Sequence, residues 1–107
     1  MSGSNGENPD KKPSLNIATS DEVILNPKYI NVMLVNVTPF EVTFDFAHHA
    51  PMLPAARHTI RLVTSLQHFK RMVEVMNIEL KKVEDAFGEI KIGPQQQEEI
   101  VFQAKDN

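Results

Sequence analysis

Residues 40–46 read Phe-Glu-Val-Thr-Phe-Asp-Phe, and this stretch decides the fold. Phe40, Val42, Phe44 and Phe46 alternate with Glu41, Thr43 and Asp45. A period of two turns one face of a strand to a core and the other to water. Just upstream, residues 29–38 (YINVMLVNVT) are rich in β-branched and large apolar side chains and lie between Pro27 and Pro39. Ile30, Val32 and Leu34 point one way along that strand, and Met33, Val35 and Val37 the other. A strand apolar on both faces is either central in its domain or covered by a second chain. With Thr38-Pro39 as the turn, the two runs form an antiparallel hairpin. Residues 47–55 (AHHAPMLPA) carry Pro51 and Pro54 and read as a loop. Arg57 to Val63 then reads as a third strand, with His58, Ile60 and Leu62 on one face and Arg57, Thr59 and Arg61 on the other.

The strands lead into a long helix. Thr64 with Gln67 fits a capping box, with Ser65 as the alternative cap, and Gly88 supplies a stop after Phe87 in the usual left-handed position. Between these ends Leu66, Phe69, Val73, Met76, Leu80, Val83 and Phe87 recur at alternating spacings of three and four. That is a heptad seam about 22 residues and roughly 33 Å long. The seam is expected to cover the Phe40/Val42/Phe44/Phe46 face. The architecture expected is therefore α+β: an antiparallel sheet of three to four strands with one long C-terminal amphipathic helix.

Three segments divide the chain. Residues 1–14 hold Gly3, Gly6, Pro9 and Pro13 with Met1 as their only apolar side chain, and are expected to be a disordered tail. Residues 15–92 form a single α+β domain, in which the weakly apolar Ile17 to Leu25 stretch adds an edge strand or folds back over surplus apolar surface. Residues 93–107 form a loose C-terminal tail with a Gly93-Pro94 break, a glutamine run at 95–97 and one apolar patch, Ile100-Val101-Phe102, with the makings of a short strand.

Composition narrows the function. The 107 residues carry a formal charge of −3, which argues against a protein built chiefly to grip phosphate backbones. There is no cysteine, so disulfides, thiolate nucleophiles and cysteine-ligated metals are excluded. No apolar run approaches the ~18 residues that span a bilayer, and the N-terminus has no secretory pattern; a cytoplasmic protein is the expectation. With four glycines, neither a P-loop nor a dinucleotide fingerprint occurs. His48, His49, His58 and His68 lack metal-site spacing, Glu41 and Asp45 read as solvated strand charges, and Thr64 and Ser65 are accounted for by capping. No catalytic, cofactor-binding or metal-binding residue is assigned. Arg57 and Arg61 on one strand face, with Lys70 and Arg71 in the early helix, form the candidate nucleic-acid contacts.

The order LNIATSDEV, FEVTFDF, the proline loop APMLPAA and then RLVTSLQHFKRMVEVMNIELKKVEDAFGEI resembles a bacterial domain-of-unknown-function family, number 3467. The resemblance runs from about Leu15 to Ile90. It rests on Phe40 to Phe46, Pro51, Pro54, Thr64, His68 and the closing Phe87-Gly88-Glu89-Ile90. Ser65-Leu66 stands where that family often has proline, and His48-His49 also departs from its pattern. The resemblance implies a small bacterial protein, and it carries no established activity, cofactor or site residue to this chain.

The reading that follows is a non-enzymatic interaction or adaptor module, expected to be a homodimer with an unidentified protein partner also in view. Val35, Met72, Val75 and Ile78 lie outside what one sheet and one helix can hide and are the candidate dimer contacts. A nucleic-acid binder and a holdase-like peptide binder are the alternatives.

Overall fold

The computed structural model describes residues 12–93 and 100–104. The expected N-terminal tail therefore lies mostly outside the described residues, as does the glutamine run. A single helical turn, α1 (Asp21–Ile24), is followed by β1 (Val32–Val37), β2 (Glu41–His48), β3 (Arg57–Ser65) and α2 (Leu66–Phe87). The three strands form one antiparallel sheet in the order β1-β2-β3. No helix among the described residues is long and apolar enough to cross a membrane.

The hairpin forms where the sequence places it, around a turn held by a side chain. The Thr38 hydroxyl accepts from the backbone N–H groups of Phe40 (3.2 Å) and Glu41 (3.1 Å), and the Thr38 N–H donates to the Glu41 carbonyl (2.9 Å). This arrangement puts Phe40 in the turn rather than in β2, and its ring is 87% exposed. The expected four-residue apolar face thus loses its first member. What remains of the core is small: Val42 is fully buried and Phe44 is 5% exposed. Phe44 lies parallel to Phe46 at 6.2 Å and meets Phe69 of α2 at 5.8 Å.

Strand β1 is an edge strand, not the central one. Its faces alternate as expected: Val35 pairs with Phe44 and Val37 with Val42 on the helix side, while Leu34 pairs with Asp45 on the other. The Ile17 to Leu25 stretch adds no strand and covers nothing. Its Asp-Glu pair opens α1 instead, and Val23, Ile24 and Leu25 are all exposed.

Helix α2 begins as the alternative cap required. The Ser65 hydroxyl accepts from the His68 N–H at 3.1 Å, while Thr64 remains in β3. Gly88 ends the helix at φ 96°, ψ 168°. That region is open to glycine alone and is not the left-handed helical position expected. Only the first turns of α2 dock on the sheet, through half-buried Leu66, Phe69 and Met72. Beyond Met72 every apolar side chain of the helix is exposed, and α2 has no fully buried residue. The expectation that the whole seam covers the sheet is overturned.

With so small a core, Phe44→Ala should cost about 3–5 kcal/mol, the range for an aromatic cut from a packed site. Phe40→Ser should stay within about 0.5 kcal/mol, as for an ordinary surface change. Urea unfolding monitored by circular dichroism measures both.

Candidate functional site

Asp45 departs most from the sequence reading. It lies mid-strand in β2, on the face read as solvated, yet it is only 6% exposed. Its register partner is Arg61, whose Nε donates to Oδ1 at 2.7 Å and whose Nη2 donates to Oδ2 at 3.2 Å. This is a two-pronged pair with the fork geometry that makes Arg–carboxylate contacts strong. His58 Nε2 lies 2.8 Å from the same Oδ1. A carboxylate only accepts, so Nε2 carries the proton.

His58 reaches Asp45 because β3 is irregular. Phe46 pairs with Ile60 and Ala47 with His58, which leaves Thr59 as an extra residue. Such a bulge flips the faces of the residues before it relative to those after it. His58 therefore joins Arg61 on the Asp45 face, and Arg57, paired with His48, lies on the opposite face. The expected sharing of one face by Arg57 and Arg61 does not occur.

The hydrogen bonds from Arg61 hold the Asp45 carboxyl below its ordinary value of 3.8; burial opposes them, and the His58 hydrogen bond adds to them. Asp45 in turn raises the Arg61 value. The expected C-terminal patch has no strand at Ile100–Ala104, but Phe102 lies over this cluster. Its ring centroid is 5.7 Å from the Arg61 guanidinium carbon and 5.4 Å from the His58 ring.

Of the candidate nucleic-acid contacts, Arg61 is engaged by Asp45, and Arg57, Lys70 and Arg71 are exposed on β3 and α2. Of the candidate dimer contacts, Val35 and Met72 are half-buried near the helix–sheet junction, and Val75 and Ile78 are exposed on α2 away from the seam. Two of the remaining histidines make separate local contacts. His49 Nε2 contacts the Leu53 carbonyl at 2.9 Å, and the His48 ring meets Tyr29 edge-on at 5.2 Å. The Asp45 cluster was missed because no residue spacing reports a strand bulge. A hairpin register counted back from Ser65 opposite Glu41 would have paired Asp45 with Arg61, but not with His58.

A family model described as "Protein of unknown function (DUF3467)" matches residues 1–92. The chain belongs to this family. The match takes in the whole sheet and α2 and stops short of the segment that carries Phe102. No curated protein and no solved structure matches the chain.

Because the folded Asp45 value is depressed, the unfolded chain takes up its proton first as pH falls. The stabilisation is complete above the ordinary value of 3.8 and is lost as pH falls through the lower folded value. Asp45→Asn should lower the melting temperature at neutral pH and flatten its decline below about pH 4. Thermal melts of both proteins between neutral pH and acid check this.

Proposed function

We propose that the protein is a non-enzymatic interaction module that acts as a homodimer through α2. The observation that carries this reading is a seam that the described residues leave uncovered. Val73, Met76, Leu80, Val83 and Phe87 all face solvent, on a helix of 22 residues anchored only at its start. Half-exposed side chains of this size each forgo about 1 kcal/mol of burial, which a second seam would supply. Regular a/d spacing is the pattern that two helices bury against one another.

Charge selects the direction. In the heptad set by Leu66 and Phe69, Lys70, Asn77 and Glu84 occupy e positions, and Met72, Glu79 and Ala86 occupy g positions. Parallel pairing sets Glu79 against Glu84 of the second copy, a repulsion made twice. Antiparallel pairing sets Val73 over Val83 and Met76 over Leu80 of the second copy, and brings Lys70 to the second copy's Glu84 twice along one side, against a single Glu79–Glu79 repulsion on the other. The antiparallel arrangement is favoured. A non-catalytic role is supported by Asp45, which among the described residues is the carboxylate paired with an imidazole, having both oxygens bound by its own neighbours.

Light scattering after size exclusion should give twice the 12.1 kDa chain mass at tens of micromolar protein. Leu80→Glu should give a single-chain mass with its helical signal retained, since Leu80 is 46% exposed within one chain. Ile78→Glu, away from the seam, should remain dimeric. Lys70→Glu should weaken association by roughly 1 kcal/mol, and adding Glu84→Lys should restore it. A single-chain mass for the unmodified protein sinks the reading; a silent Leu80→Glu moves the contact off the seam.

A further inference from the structure

At the end of the sheet remote from the hairpin turn, Lys28 and Tyr29 face His48 and the bulged stretch Arg57 to Thr59 across an open cleft of about 330 Å³. That volume is at the lower end of the range for small-molecule sites. Two permanent cations and two imidazoles line it, and none of the described lining residues is acidic. Among the described residues, neither Lys28 nor Arg57 forms an ion pair. In a chain of net charge −3 this is a local concentration of positive charge against the overall balance.

The walls are fixed in place. Asn31 brackets the His49 backbone: its Nδ2 donates to the His49 carbonyl at 2.9 Å, and its Oδ1 accepts from the His49 N–H at 2.8 Å. The Asn31 N–H also donates to the Ala47 carbonyl at 3.1 Å. These bonds hold the chain leading into β1 against the end of β2, which keeps Tyr29 beside His48. The bulge places His58 at the cleft and ties its other edge to Asp45. Arg61 pairs with that carboxylate, so its negative charge is already compensated.

We infer that this cleft binds a mononucleotide, with its phosphomonoester on Lys28 and Arg57 and its base against Tyr29. A phosphomonoester carries between one and two negative charges at neutral pH, which two cations match. The Arg57 fork suits its oxygens, and Lys28 supplies a mobile point charge. The exposed Tyr29 ring gives the base a stacking surface. This site is separate from the α2 seam, so its fate does not depend on the dimer.

The test is an amide-resolved NMR titration of the full chain with adenosine 5′-monophosphate, adenosine and inorganic phosphate. The mononucleotide should shift amides at 28–29, 48 and 57–59, saturating with a Kd of about 1 mM or tighter. Adenosine should bind about tenfold more weakly or worse, and Lys28→Ser with Arg57→Ser should cost the mononucleotide about tenfold or more. Both residues are exposed, so the variant should keep its spectral dispersion. Tyr29→Ala should weaken the mononucleotide while leaving inorganic phosphate unchanged. The inference is overturned by any of four results. These are unsaturating shifts spread over Lys70, Arg71, Lys81 and Lys82, equal binding by the double variant, adenosine matching its monophosphate, or binding of single-stranded oligonucleotides alone.

Discussion

A carboxylate in the middle of the central strand governs this fold. Asp45 has neighbours on both sides of β2 and little water, so its charge must be met by the sheet itself. Arg61 meets it across the β2–β3 register, and His58 meets it because one extra residue at Thr59 re-aims the start of β3. The same bulge sends Arg57 to the far face, where it joins Lys28 and His48 at the cleft. One local irregularity thus closes the polar face of the sheet and opens a basic cleft at its end.

The opposite face has the reverse imbalance. Among the described residues, a sheet whose strands run six to nine residues has only Val42 and Phe44 as its buried apolar core. Helix α2 is longer than the face it meets, and its path leaves the sheet after Phe69 and Met72 have docked. A chain of about 100 residues buries barely more than ~60% of its unfolded surface in any case. Part of the apolar surplus, Val73, Met76, Leu80, Val83 and Phe87, sits on one continuous seam of α2, which suits a mate of identical spacing better than the scattered remainder would.

Much of the fold was legible. Alternation in residues 40–46 gave the strand, the proline-bounded run before it gave the hairpin, and the heptad seam and Gly88 gave the helix and its end. Each of these signals is local, because side-chain direction in a strand or helix follows from backbone period alone. Phe40 shows where period fails: a hydroxyl from Thr38 took its backbone into the turn, and the ring left the face it was counted on.

The candidate site was less legible, since it is made of pairings between strands. By itself the sequence determined the element types, their order and an antiparallel α+β class, all of which depend on contacts within a few residues. The tertiary structure alone decided that Asp45 is buried and paired, that His58 and Arg61 share a face while Arg57 does not, and that the helix outruns its sheet. These depend on register, on one unpaired residue at Thr59 and on how far two elements overlap. Such distances are set between segments, and no spacing along one segment records them.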